Sequence, residues 1–145
     1  MILYVNGQDI NYITFGVLGT PGEPPIRTVH VGPEEHLKEL VDFLDDNNTR
    51  VADIKQIVAV VGPGSATSLR TSLSIINTIR FVSNVELIGI QKNVLEQDID
   101  TIKNFNNTKI IPVSRGGMLI PIYSQAAKIT PSKKDVLGRK YKSNS

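Results

Sequence analysis

Residues 57–90 read IVAVVGPGSATSLRTSLSIINTIRFVSNVELIGI, and this stretch decides the fold of the chain. It opens with five consecutive apolar residues, 57–61, which predict a strand that is buried on both faces. The Gly-Pro-Gly-Ser turn at 62–65 ends the strand, because proline lacks an N–H and glycine frees the backbone. Apolar residues then recur at helical spacing through residues 69–82, and 85–90 is a second apolar run. The stretch predicts two parallel strands joined by a right-handed helical crossover.

The residues before this stretch predict three strands and one helix. Strands at 2–5, 10–18 and 26–31 are separated by short loops, which favours an antiparallel meander. A helix is expected to begin near Pro33, because proline suits the first helical turn and the two glutamates after it complement the helix dipole. The predicted order is therefore β-β-β-α-β-α-β, an α/β fold with a mixed sheet of an antiparallel meander and parallel strands.

The residues after this stretch predict a shorter helix and a hairpin. A helix is expected over 94–105, with Asn93 as its N-cap and Glu96 completing a capping box. A C-terminal hairpin is expected from strands at 109–113 and 118–123, around the Ser-Arg-Gly-Gly turn.

The turn and the helix start carry a resemblance to a known family. GPGSATSLR at 62–70 resembles the GPGSFTGLR motif of the TsaB (YeaZ) family, with seven of nine positions matching. Ala66 stands where the family usually has phenylalanine, and Ser68 where it usually has glycine. The resemblance implies an actin-like, Hsp70-like (ASKHA) fold, whose first lobe shares the β-β-β-α-β-α-β order with RNase H-like domains. It implies that 1–125 is a TsaB-like N-terminal lobe with a remnant hairpin of the second lobe, in a chain shorter than typical relatives.

The same resemblance implies a function without catalysis. TsaB is the non-catalytic partner of TsaD in making threonylcarbamoyladenosine (t6A) on transfer RNA, so a cytoplasmic scaffold or activating subunit for a TsaD-like partner is expected, with no cofactor. The family pairs its first two helices with those of a second subunit, and the second helix here has an unusually wide apolar stripe. A homodimer alone, and a heterodimer with the partner, are therefore expected through these helices. The predicted interface residues are Leu37, Leu40, Val41, Leu44, Leu69, Leu73, Ile76 and Val82.

A second hypothesis is a small actin-like domain that itself binds a nucleotide or phosphate. Backbone N–H groups at the start of a helix favour anions, and the candidate residues are Gly62, Gly64, Ser65, Thr67 and Arg70. The alternative interpretation is that the glycines serve a tight turn and that Ser65 or Thr67 caps the helix. Asn6 stands where actin-like ATPases carry an aspartate, which argues against nucleotide hydrolysis. No catalytic residue is assigned.

Composition sets the remaining expectations. The chain has 145 residues, no cysteine and a net charge of +2. A disulfide framework and a cysteine-type zinc site are therefore excluded, and no apolar run approaches the ~20 residues of a membrane span. No metal site is expected at the two histidines, because His30 ends a strand and His36 is expected at the surface of a helix start.

The last twenty residues are strongly basic. Residues 126–145 hold six Lys and Arg against one Asp, a charge of +5. A solvated, disordered tail is the first expectation. A third hypothesis is a nucleic-acid-binding module that uses this tail, and contact with transfer RNA is expected either through it or through the partner.

Overall fold

Six strands form one mixed sheet in the computed structural model, which describes residues 1–107, 110–111 and 117–123. The elements are β1 (Ile2–Asn6), β2 (Tyr12–Leu18), β3 (Ile26–His30), α1 (His36–Asp46), β4 (Gln56–Gly62), α2 (Ala66–Val82), β5 (Glu86–Gln91), α3 (Asp98–Lys103) and β6 (Ile110–Ile111). Across the sheet the strands lie in the order β3-β2-β1-β4-β5-β6. The predicted α/β class and the predicted order of the first seven elements are confirmed.

The sheet joins an antiparallel half to a parallel half at the centre. β1 pairs antiparallel with β2, and β2 pairs antiparallel with β3, which is the predicted meander. β4 lies between β1 and β5 and runs parallel to both. The short β6 pairs antiparallel with the outer edge of β5. The carboxyl ends of β1, β4 and β5 consequently meet at one edge of the sheet.

The apolar run of β4 is buried on both faces, as predicted. All five of its residues are at most 1% exposed. The side chains of Ile57 and Ala59 join the large cluster on the α1 and α2 side, whereas those of Val58 and Val60 join a smaller cluster with Ile102 of α3 on the other side. A strand enclosed by both layers has no polar face, which is why its sequence shows no alternation.

Helices α1 and α2 cover the same face of the sheet. Leu40 and Phe43 of α1 share one core cluster with Leu73 and Ile76 of α2. Each helix leads from one strand to another that runs in the same direction, β3 to β4 and β4 to β5. Both helices therefore return from the carboxyl edge of the sheet to its amino edge, and they run parallel to each other.

Helix α3 begins later than the sequence predicts. The Asn93 side chain accepts a hydrogen bond from the backbone N–H of Leu95 at 2.9 Å, which closes a local turn. The Glu96 carboxylate accepts from the Thr101 hydroxyl at 2.7 Å. The predicted capping box at Asn93 and Glu96 is wrong, because Asn93 stabilises a turn before the helix, Glu96 accepts from a side chain within it, and α3 starts at Asp98.

Two sequence predictions fall partly or wholly outside the described residues. Most of the turn of the expected C-terminal hairpin lies outside them, since 112–116 are not described. The described part of its first strand, Ile110–Ile111, pairs with β5. The basic segment 126–145 also lies outside the described residues.

Residues 117–123 run back over α2 and the end of β4. Asn77 of α2 holds this segment at both backbone groups of Leu119: its amide Nδ2 donates to the carbonyl at 3.1 Å, and its Oδ1 accepts from the N–H at 2.9 Å. The N–H of Ile122 donates to the carbonyl of Val61 at 2.7 Å. The segment therefore covers the end of β4 at the carboxyl edge of the sheet.

Candidate functional site

The carboxyl edge of the parallel strands is the natural place to look for a site. Open α/β sheets bind ligands in the crevice outside the carboxyl ends of their strands, where neighbouring strands connect in opposite directions. β1 connects towards β2 on one side and β4 connects towards β5 on the other. The residues at this edge are Asn6, Gly62 and Gln91, followed by the loops that leave them.

Asn6 closes a buried hydrogen-bond network at the end of β1. Its Nδ2 donates to Oδ1 of Asp98 at 2.7 Å, and its Oδ1 accepts from the N–H of Gln8 at 2.9 Å. The Tyr4 hydroxyl donates to the same oxygen of Asp98 at 2.6 Å. Burial and the neighbouring Asp98 carboxylate both raise the pKa of Tyr4 above its ordinary value, so it remains a donor. The carboxamide of Asn6 thus positions a loop and has no basic character.

Gln8 joins three loops at this edge. Its Nε2 donates to the carbonyl of Pro63 at 3.0 Å and to that of Lys92 at 2.6 Å. Its backbone carbonyl accepts from the N–H of Ser65 at 2.9 Å. No sequence pattern indicates such a role for a glutamine that follows an Asn-Gly pair.

The glycines of the turn at 62–65 allow close backbone contacts. Gly62 has φ +138°, and a Cβ there would lie 2.0 Å from the carbonyl oxygen of Ile122. A Cβ on Gly64 would lie 2.7 Å from the carbonyl oxygen of Gln8. Both glycines are buried, and these contacts support the interpretation of a tight packing turn. Their predicted part in an anion site stays a prediction.

The start of α2 holds the other three residues of that predicted anion site. Ser65 caps the helix, since its Oγ accepts from the N–H of Ser68 at 3.4 Å. Thr67 and Arg70 are exposed, and the Arg70 guanidinium lies 6.0 Å from the ring centre of Tyr123. The structure therefore brings Ser65, Thr67 and Arg70 onto one helix start, while the two glycines face the interior.

The predicted interface residues divide into a buried and an exposed group. Five belong to the core of this chain and are at most 3% exposed: Leu40, Leu44, Leu69, Leu73 and Ile76. The sheet and neighbouring segments of the same chain cover these side chains, so a partner cannot contact them in this conformation. Leu37, Val41 and Val82 are 56%, 44% and 70% exposed.

The small serines of α2 approach the chain's own loop and do not offer a groove for another helix. The Ser68 hydroxyl donates to the carbonyl of Asp9 at 3.0 Å. A Cβ on Gly7 would lie 2.6 Å from Oγ of Ser72. The close approach thus occurs between α2 and the loop after β1.

The histidines lie in different environments. The His30 ring stacks on Tyr12, with ring centres 4.8 Å apart. The expectation that His36 lies at the surface is wrong: it is 1% exposed, and neither ring nitrogen has a hydrogen-bond partner in the described part of the chain. Burial lowers the pKa of His36, and the nearby carboxylate of Glu34 opposes this effect. Among the described residues, no three His, Cys, Asp or Glu side chains are grouped to hold a metal ion.

We expect His36 to make the protein less stable in mild acid. Its pKa is about 6.5 in the unfolded chain and lower in the folded chain, so the unfolded state takes up the proton first. The free energy of unfolding should be unaffected by His36 above pH 6.5 and should decrease below it, by up to ~1.4 kcal/mol per pH unit. The free energy of unfolding, measured by urea titration between pH 7.5 and 5, should vary less with pH in His36→Leu than in the wild type. An equal pH dependence in the two proteins would contradict the assignment.

None of the helices in the described residues is both long and apolar enough to cross a membrane.

Comparison with known proteins agrees with the architecture. The model of the TsaD family, described as tRNA N6-adenosine threonylcarbamoyltransferase, matches residues 33–128. The solved structure of YeaZ from Pseudomonas aeruginosa is similar, with a TM-score of 0.55 at 15% identity, covering 62% of this chain and 43% of YeaZ. A crystal structure of an uncharacterised protein with similarity to peptidase YeaZ, from the same organism, has the same score and identity and is covered to 42%.

No curated protein sequence matches significantly. The chain spans less than half the length of either solved structure, and at 15% identity the similarity speaks for the fold alone. The family model, in contrast, matches more than half of the chain. The chain therefore belongs to the TsaD family, and it has a YeaZ-like, actin-like fold.

Proposed function

We propose that this chain is a non-catalytic scaffold or activating subunit that works with a TsaD-like catalytic partner in forming t6A on transfer RNA, in the cytoplasm. The family match over 33–128, the YeaZ-like fold and the TsaB-like motif at 62–70 support this proposal.

The end of β1 is the observation that carries the non-catalytic part. Actin-like ATPases have a carboxylate there, and this chain has Asn6, whose carboxamide is hydrogen-bonded on both sides to Asp98 and Gln8. A buried carboxamide in this state neither accepts a proton from water nor balances the charge of a magnesium ion. The catalytic groups are accordingly proposed to belong to the partner.

The exposed side of α1 is the proposed contact surface. Leu37 and Val41 are separated by one helical turn and lie on the same face, and both are exposed beside the parallel helix α2. Val82, the last residue of α2, extends the apolar surface at the far end of that helix. The same surface is proposed to form a homodimer when the partner is absent, and 126–145 is proposed to contact transfer RNA.

Leu37→Glu is expected to weaken association with the TsaD-like partner by at least about tenfold while leaving the fold intact. Leu37 is more than half exposed in the free chain. The introduced carboxylate would therefore be hydrated in the free chain and would lose its hydration only in the complex. The measurement is the affinity of the purified chain for a TsaD-like protein from the source cell, together with sedimentation of the chain alone.

Leu95→Glu is the matched control, because Leu95 is 87% exposed in the loop before α3. This variant makes the same chemical change at the carboxyl edge of the sheet and should bind as the wild type does. Undiminished partner binding by Leu37→Glu would refute the proposed surface. A monomeric wild-type chain at high concentration that also captures no TsaD-like protein would refute the proposed function.

A further inference from the structure

Lys92 is a buried cation without a counter-ion. It follows β5 directly, and it is 4% exposed. Its Nζ donates to the carbonyl of Asn93 at 3.0 Å, and it takes part in none of the ion pairs found among the described residues, so no described carboxylate lies within 4.0 Å of it. Lysine is almost never fully buried unless it is paired. One carbonyl leaves the ammonium with unused donors and an unbalanced charge.

The backbone of Lys92 is fixed at both of its polar groups. Its N–H donates to the carbonyl of Gly62 at 3.1 Å. Its carbonyl accepts from Nε2 of Gln8 at 2.6 Å. The end of β4 and the loop after β1 thus hold the residue in place before any ligand arrives. An ammonium group on such an anchored backbone is preorganised for binding.

Two cavities meet at Lys92, and they differ in charge. The first, of about 400 Å³, lies towards the end of β1, and three acidic residues, Asp9, Glu96 and Asp98, line it. The second, of about 460 Å³, lies towards the turn after β4. Its lining residues are Pro63, Gly64, Gln91, Lys92, Asn93 and Val94.

The second cavity has the donor set of an oxyanion site. Among the described residues that line it, Lys92 is the only charged one, and Gln91 and Asn93 are the residues with a carboxamide. Because Oδ1 of Asn93 accepts from the N–H of Leu95, its Nδ2 is the group left to donate outward. In the first cavity three carboxylates would repel an anion, so the charge pattern selects the second one.

We propose that Lys92 binds the oxyanion of a small molecule, a phosphate or a carboxylate, in the cavity that it shares with Gly64. The bound anion supplies the missing counter-ion at the carboxyl edge of the sheet, and the volume leaves room for the rest of a metabolite-sized molecule. This site is distinct from the start of α2, where Arg70 is exposed, and from the partner surface on α1. It requires no partner subunit, so its test is independent of the proposed function.

The test titrates the full chain with inorganic phosphate and, separately, with acetate in a low-salt, chloride-free buffer. Binding is followed by ¹⁵N amide shifts and calorimetry. The expected shifts map to Gly64 and to 91–94, and Lys92→Met should weaken binding by about tenfold or more. Lys103→Met is the control. It removes a cation in α3, away from this cavity, and should bind as the wild type does.

Comparing phosphate with acetate distinguishes a phosphate ligand from a carboxylate ligand, because the anion that binds more tightly identifies the group that the site prefers. Lys92→Arg should retain binding, because it keeps the charge, while a thermal melt without ligand reports the fold of each variant. If Lys92→Met does not fold, the wild-type shifts alone decide: shifts confined to Ala66–Arg70 would overturn the proposal. Unchanged binding in a folded Lys92→Met, or no binding of either anion by the wild type, would also overturn it.

Discussion

Gly62→Ala is expected to destabilise the protein by on the order of 4 kcal/mol and to lower its melting temperature by about 10 °C or more. The new Cβ would lie 2.0 Å from the carbonyl oxygen of Ile122, and backbone at one of the two sites must move to relieve the overlap. The φ of +138° adds strain that only glycine avoids, about 1–3 kcal/mol. Any shift of Ile122 also stretches its hydrogen bond to Val61.

Gly19→Ala separates the two contributions. Gly19 has φ +80°, and a Cβ there would meet nothing within 4 Å. It therefore reports the cost of a positive φ alone, about 1 kcal/mol. The two variants are compared by urea unfolding and differential scanning calorimetry. An equal loss of stability in both variants would show that the close contact between Gly62 and Ile122 adds nothing to the cost of the substitution.

Leu73→Glu is expected to cost about 3–5 kcal/mol, because it places a carboxylate in the core without a partner. Leu73 is 2% exposed and belongs to the cluster between α2 and the sheet. This variant should lose cooperative unfolding at moderate temperature, and any loss of association would follow from unfolding. The measurement is a urea titration monitored by circular dichroism.

Leu37→Glu makes the same change on α1 at a residue that is 56% exposed. Its free energy of unfolding should lie within about 0.5 kcal/mol of the wild-type value. The pair thus distinguishes a core leucine from a surface leucine. A Leu73→Glu protein that unfolds like the wild type would show that Leu73 faces outward in solution.

The strands and the two long helices were predictable because each carries its own local signal. β4 is a continuous apolar run that ends at a Gly-Pro-Gly turn, and α2 begins at Ala66 after Ser65, which the sequence also suggested as a cap. The wide apolar stripe of α2 was harder to interpret. Helical spacing shows that Leu69 and Leu73 are apolar, but it does not show that the fold of this same chain buries them.

The candidate site was less predictable, because its key groups depend on contacts between distant segments. The burial of Lys92 follows from the loops after β1 and β4, which lie far away in sequence. His36 has the position of an exposed residue at a helix start, and nothing in its local pattern indicates that it is buried. Asn93 and Glu96 match the pattern of a capping box, but Asn93 stabilises a turn before α3 and Glu96 accepts from the hydroxyl of Thr101.

The central pairing of β1 with β4 also has a consequence for synthesis on the ribosome. Ile2 pairs with Gln56 and Asn6 pairs with Val60, so the inner edge of β1 has no partner until β4 has left the exit tunnel. At ~5–20 residues per second, making the intervening chain takes roughly 3 to 10 s. During that time the nascent meander exposes an unpaired strand edge with apolar side chains, the kind of surface that chaperones bind.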